Sequence, residues 1–360
     1  MRVAVIYGGR SVEHEVSVIT ALQVMMALSK NYDVEPIYIS KDNKMYNDKA
    51  LLNLESYKTF TDNSKKEIAI SKDYEGPYFC NVFKPKKKKR FDVAFLCVHG
   101  YGVEDGTISA MFEYIDIPYV GGNILSSSLS QDKNMVKKLL KTIKVDVVNG
   151  IYLKRNYNEL ELDKIEYPCI VKPNKLGSSI GIKVCHNKNE LKEALNLVFY
   201  YDDSILIERF IENKIEYNIA LFRNNTELNY SMIESVECKD LFSFDDKYLE
   251  NKTKKVVPAE IDEKLFYKIR KTAKNIYTFL NCNNIIRIDF IYDLDNNKLY
   301  FNEINSIPGS LANYLFKDKY SFSELTKILI ENTLNNYNIS KSKVRIVNAS
   351  EVYNTNLNSK

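Results

Sequence analysis

Two carboxylates, an amide and a guanidinium recur at two-residue spacing late in the chain. Arg287 and Asp289 lie in Arg287-Ile288-Asp289-Phe290-Ile291, and Glu303 and Asn305 follow the turn at Asp293 to Asn297. Side chains two apart on a strand share a face. If the two segments pair, these four groups project to one side, while Ile288, Phe290 and Ile304 make the other face core. Carboxylate and amide oxygens with no His or Cys nearby suit a hard ion such as magnesium. A salt-bridge cluster on a polar sheet face is the plainer alternative.

A second constellation lies upstream. Lys172 ends the apolar run Cys169-Ile170-Val171-Lys172-Pro173, and Gly177-Ser178-Ser179-Ile180-Gly181 follows it. Such a loop, rich in backbone and hydroxyl donors, can fold over phosphates, or it can be an ordinary turn. It is not a Walker loop, and Gly8-Gly9 is not the dinucleotide-binding glycine fingerprint. A strand lysine and a Gly-Ser loop in one unit, with a carboxylate pair in the next, suit a nucleotide held between two domains. Lysine and magnesium would there neutralise the charge of phosphoryl transfer.

The elements that must position these groups follow from periodicity. Residues 2 to 7 read as a strand, Gly8-Gly9 as a turn and Val16 to Leu28 as a helix. Strands near Val34 to Ile39 and Val93 to Val98, and a helix at Ile108 to Ile115, continue an alternation that predicts a parallel sheet. A helix from Ser126, strands at Tyr167 to Lys172 and Ile205 to Glu208, and the polar loop predict a small α/β unit. Alternating strands at Tyr217 to Phe222, Leu228 to Val236, Ile285 to Tyr292 and Lys298 to Asn302, with a helix from Asp262 to Leu280, predict an antiparallel α+β unit. The expected organisation is 1–122, 123–213 and 214–335, with a peripheral tail at 336–360.

A length of 360 residues with 45% apolar content supports several cores. No stretch has the length to span a bilayer, so a soluble, intracellular protein is expected. Six cysteines without a C-x-x-C pair imply neither a disulfide framework nor a zinc site. Net charge is only +4, and the basic run Lys86 to Arg90 reads as a solvated surface loop, so no nucleic-acid partner is expected.

Five ordered blocks carry a resemblance to a known family. They are Gly8-Gly9-Arg10-Ser11-Val12-Glu13-His14-Glu15-Val16-Ser17, His99-Gly100-Tyr101-Gly102-Val103-Glu104-Asp105-Gly106, Lys172 with Gly177 to Gly181, Asp246-Lys247-Tyr248, and Arg287 through Gly309. Over about residues 2 to 335 the chain resembles the D-alanine-D-alanine ligase family of ATP-grasp enzymes. The resemblance implies a three-domain ATP-grasp architecture with an N-terminal parallel-sheet (pre-ATP-grasp) domain. It implies ATP-dependent carboxylate-amine ligation of two D-alanine molecules through an acyl phosphate, for peptidoglycan synthesis, by a cytoplasmic homodimer. Two magnesium ions, replaceable by manganese, would serve it. Related ligases taking D-serine or D-lactate as second substrate are the alternative. The lactate type carries a histidine in place of the lid tyrosine, so Tyr248 points to an amine acceptor. A non-catalytic nucleotide sensor of the same shape is a reading from another class, opposed by intact Lys172, Arg287, Asp289, Glu303 and Asn305.

By the same resemblance, Lys133 and Lys172 would bind the ATP phosphates, with Ser179 and Lys247 also at the nucleotide. Glu208, Arg209, Phe210 and Ile211 would hold the adenine, Glu216 the ribose, and Asp289, Glu303 and Asn305 the metals. Glu13 would take the first ammonium and His99 and Arg287 its carboxylate, although Glu13 could merely cap a helix and His99 sit in a core. Arg287 and the Gly309 N–H would meet the oxyanion, at a point where a side chain would obstruct approach. Ser178 and Tyr248 would position, and Ser310, Leu311, Tyr314 and Leu315 would contact the second substrate. The chain departs from the family pattern at Val103, Ser109-Ala110 and Ser306-Ile307, and Tyr314-Leu315 stands where a Ser-Leu or Ser-Met pair is common.

Overall fold

The computed structural model describes residues 1–61, 66–237 and 254–343. Its first sheet has eight strands in the order Lys84–Arg90, Gly76–Asn81, Glu67–Asp73, Met45–Tyr46, Asp33–Ile39, Arg2–Gly8, Val93–Leu96, Tyr119–Val120. From Asp33–Ile39 onward the pairing is parallel. Arg2–Gly8 is buried along nearly its whole length, the continuous apolar run expected of a parallel strand covered on both faces. The other half is an antiparallel extension that strand-helix alternation does not foretell. Lys86 to Arg90, expected as a surface loop, belongs to its edge strand Lys84–Arg90. Exposed lysines on such an edge discourage further strand pairing.

The second sheet is antiparallel, in the order Lys183–Cys185, Cys169–Pro173, Ser204–Arg209, Gly150–Lys154, the last a strand missing from the sequence reading. Cys169, Val171, Ile205 and Ile207 pack on Leu191, Leu195 and Val198 of helix Lys188–Tyr201. Alternation then turns Lys172 and Glu208 to the opposite face. The third sheet, also antiparallel, runs Lys254–Val256, Glu227–Glu237, Lys214–Asn224, Ile286–Asp293, Lys298–Asn305. It packs on helix Glu263–Phe279, which Asp262 caps by accepting from the Leu265 N–H at 2.8 Å.

Helix Lys133–Thr142 joins the second and third units. Val136 and Leu140 lie in the core of the five-stranded sheet, while Lys133 and Lys137 reach groups of the four-stranded unit. The final helix, Phe322–Lys341, opens with a capping box between Ser321 and Glu324 and packs back onto the first unit. Residues 336 to 341, read from sequence as tail, continue it. The rest of the expected tail, from 344 on, lies outside the described residues.

Candidate active site

A cavity of about 110 Å³ opens between the four- and five-stranded sheets. On one wall Lys172, 5% exposed, places Nζ 2.5 Å from Glu208 Oε2 and 3.4 Å from Asn302 Oδ1. Lys172 pairs with Leu206 and Ile170 with Glu208 across the strands, so Lys172 and Glu208 are diagonal neighbours on one face. Glu208 Oε1 is held by Lys137, a second buried lysine. Burial opposes the charge on Glu208, but the two ammonium groups outweigh it and hold its pKa below the ordinary carboxylate value. Lys133 donates to the Leu176 carbonyl at 2.5 Å and lies 3.8 Å from Glu303 Oε2. Ser179, Arg209, Phe210, Ile211 and Glu216 also line the cavity. Arg209 is tied to Asp293 Oδ2 at 2.9 Å, and Lys214 lies over the Phe210 ring at 4.4 Å.

The facing wall is the sheet bearing Arg287, Asp289, Glu303 and Asn305. Arg287 pairs in register with Asn305, and Asp289 with Glu303. A bulge falls between this register and the next pair, Phe290 with Phe301, leaving Asn302 as the extra residue. The bulge reverses parity. Leu299, Phe301 and Ile304 all enter the core, which strict alternation cannot provide, and Asn302 and Glu303 both line the cavity. Arg287 donates to both oxygens of Asp289, each at 2.7 Å, and Asn305 donates to Asp289 Oδ2 at 3.3 Å. Burial opposes the Arg287 charge, but Asp289 raises its pKa above the ordinary value, so it stays a guanidinium. Among the described residues no group of three or more His, Cys, Asp or Glu side chains could by itself hold a metal. Two carboxylates and an amide still suit magnesium, which keeps waters and takes its remaining oxygens from substrate phosphates.

The third side comes from the N-terminal unit. Glu13 accepts from the Ser178 hydroxyl, uniting the first helix with the Gly-Ser loop. Its pKa is raised by burial and then by Glu104, against the opposing pull of Ser178 and His99. Glycine is required around it: a Cβ on Gly100, where φ is +84°, would lie 2.2 Å from Ser11 Oγ and 2.8 Å from Glu13 Oε2. One on Gly177 would lie 2.9 Å from the same carboxylate. His99 is 4% exposed, with Nε2 2.9 Å from Thr20 Oγ1 and Nδ1 3.8 Å from Glu104 Oε2. Glu104 also accepts from the Gly100 N–H at 3.0 Å and the Ile307 N–H at 2.9 Å, joining this unit to the turn before Gly309. The Ser310 N–H donates to Thr20 Oγ1 at 3.0 Å. Ser310, Leu311 and Ala312 all have φ near +50°, a strained run for side-chain-bearing residues.

These features were compared with known proteins. The family model "D-ala D-ala ligase N-terminus" matches residues 2–122, and "D-ala D-ala ligase C-terminus" matches residues 140–335. A relative named D-alanine--D-alanine ligase, from Thermosipho africanus, is 37% identical over 358 residues, covering 96% of each chain. The chain belongs to the D-alanine-D-alanine ligase family. The crystal structure of D-alanine-D-alanine ligase from Helicobacter pylori superposes with a TM-score of 0.76 at 28% identity, covering 92% of this chain and 98% of that one. That of the VanG D-Ala:D-Ser ligase from Enterococcus faecalis gives 0.77 at 29% identity, covering 92% and 99%. Both agree with a mixed α/β, three-domain ATP-grasp fold.

The residues that the family resemblance singles out are thus brought together unevenly. Lys133, Lys172, Ser179, Glu208 to Ile211, Glu216, Arg287, Asp289 and Glu303 share one cavity. Glu13, Ser178 and His99 form the adjoining N-terminal side, and Glu303 contributes to the field at both Glu13 and Arg287. Leu311 and Leu315 are 2% and 0% exposed within the core of the first unit. The Tyr314 hydroxyl donates to Glu234 Oε2 at 2.7 Å. Among the described residues, chain neighbours aside, a Cβ on Gly309 would meet no atom within 4 Å. Asp246, Lys247 and Tyr248 lie outside the described residues. Sequence reasoning missed Lys137, Glu104, Thr20 and Asn302. Lys137 had a signal, its four-residue spacing from Lys133, but Lys138 and Lys141 make the helix look like a solvated basic face.

Proposed function

We propose that the chain joins two molecules of D-alanine into D-alanyl-D-alanine, driven by ATP cleavage, as a supply of the dipeptide for peptidoglycan. The carrying observation is the pairing of walls in one cavity: Lys133 and Lys172 face Arg287, Asp289 and Glu303 in a chain that matches the family along nearly its full length. The two lysines would neutralise the phosphates, and the segment Glu208 to Ile211 would seat the adenine with Glu216 at the ribose. Asp289, Glu303 and Asn305 would hold divalent metal, which polarises the transferring phosphoryl group; two magnesium ions, with manganese as a substitute, are the expected set. Glu13, as carboxylate, would bind the first ammonium, and Ser178 keeps it aimed. His99 and Arg287 would take the first carboxylate. Attack of that carboxylate on the γ-phosphate would give an acyl phosphate with release of ADP, and the second amine, having lost its proton, would add to the acyl carbonyl and expel inorganic phosphate. Arg287 and the Gly309 N–H would stabilise the oxyanion between these states.

The division into 1–122, 123–213 and 214–335, the cytoplasmic setting and a homodimer formed through the N-terminal unit belong to the same proposal. Sedimentation at micromolar concentration tests the dimer. The deciding experiment is phosphate release from ATP and magnesium with D-alanine, L-alanine, D-serine, or D-alanine plus D-lactate, with products identified by mass. D-alanyl-D-alanine is the expected product. No release with any D-amino acid would sink the proposal, and a mixed product from D-serine or D-lactate would reassign the acceptor.

A further inference from the structure

Glu208, 3% exposed, divides its two carboxylate oxygens between two buried ammonium groups, Oε1 to Lys137 and Oε2 to Lys172 at 2.5 Å. The two lysines sit on different elements. Lys172 lies on a strand leading into the Gly-Ser loop and already has a second neighbour, Asn302, at 3.4 Å. Lys137 lies on a helix anchored by Val136 and Leu140 in the core of the five-stranded sheet.

We propose that Lys137 is a positioning residue for base selection: it holds Glu208 as a fixed anionic acceptor, whose Oε2, once Lys172 has turned to the phosphates, accepts from a purine 6-amino group and rejects a 6-carbonyl. This rests on the ATP-dependent ligase reading and extends it to the nucleotide base. A buried carboxylate with no cation beside it takes up a proton rather than stay charged. The protonated carboxyl donates as well as accepts, so without Lys137 the distinction between amine and carbonyl is lost. With Lys137 in place, a 6-carbonyl meets an acceptor, and a buried mismatch of this kind is strongly penalised.

Calorimetric binding of magnesium ADP and magnesium IDP tests this without turnover. The two nucleotides differ in the 6-amino against the 6-oxo group and the N1 proton that accompanies the latter. Wild type is expected to prefer ADP. Lys137→Met should weaken ADP by about tenfold or more and shrink the ADP-to-IDP preference by about threefold or more. Lys137→Arg, which keeps the charge, should leave that preference within about twofold. In a Glu208→Gln background, Lys137→Met should not change the preference further. An unchanged preference in Lys137→Met, a lost one in Lys137→Arg, or a further change in the Glu208→Gln background would overturn the proposal. Should Lys137→Met not fold, Lys137→Arg and the double variant, which removes one charge of each sign, still decide it. A wild type that binds neither nucleotide sinks the ligase reading. One that ligates D-alanine but binds ADP and IDP alike sinks this inference alone.

Discussion

At the scale of single residues, the roles proposed for Arg287 and Glu13 can be tested separately. Arg287 is bound through both Nε and Nη2 to Asp289, a geometry a lysine cannot reproduce. Arg287→Ala should lower kcat by about 10² to 10³, more than it raises the KM for D-alanine, because His99 would still hold the first carboxylate whereas the oxyanion forms only beyond the bound ground state. Steady-state kinetics at saturating ATP checks this, and an unchanged kcat removes Arg287 from that role. Glu13 offers a pH test. Its pKa is raised above 4.5, chiefly by burial. Through the window above 4.5 the folded protein keeps a proton that the unfolded chain has lost, so this group's contribution to stability falls as pH rises. Ammonium capture needs the carboxylate, so the acid limb of kcat/KM for D-alanine should lie above 4.5. Glu13→Gln should lower kcat/KM by about 10²-fold and abolish that limb.

At the scale of elements, the pieces that aim these groups are held by few contacts. Glu104 joins the His99 loop to the turn before Gly309 through the Gly100 and Ile307 N–H groups. Burial opposes its charge, while His99 and those N–H donors hold its pKa below the ordinary value. Glu104→Ala should cost about 3 kcal/mol in urea unfolding, since three buried donors, the Gly100 and Ile307 N–H groups and the Ser306 hydroxyl, lose a carboxylate acceptor, whereas Glu104→Gln keeps an acceptor oxygen and should cost less. The bulge at Asn302 shows why the wall bearing Asp289, Glu303 and Asn305 was only partly legible. The pattern Glu303-Ile304-Asn305 announces its own facing, but Leu299 and Phe301 point to the opposite parity, and only pairing with Ile286–Asp293 reveals the extra residue between them.

At the scale of the molecule, the first unit is not closed by its own sequence. Leu311, Leu315, Phe316, Leu325, Leu329 and Ile330 complete the core begun by the sheet of the first hundred residues. A fragment of residues 1–122 should therefore lack a cooperative thermal transition, while Leu329→Ala in the whole chain should cost about 2 to 5 kcal/mol. Circular dichroism of the fragment and urea unfolding of the variant check the two. A fragment that melts cooperatively would show an independent domain. The last helix had a readable start in Ser321 and Glu324, but its partner, some three hundred positions earlier, leaves no local trace.

The sequence by itself determined the family, through five ordered motif blocks whose resemblance the family matches bear out, and it put oxygen donors at two-residue spacing and a lysine at the end of an apolar strand. Local alternation and turn residues encode which face a side chain takes, so these features survive reading in one dimension. Only the tertiary structure decided that Lys137 shares Glu208 with Lys172, that Glu104 spans two units, and that a bulge brings Asn302 to the cavity beside Glu303. Each depends on contacts between segments far apart in the chain, where burial and charge pairing select the partner and no periodicity records the choice.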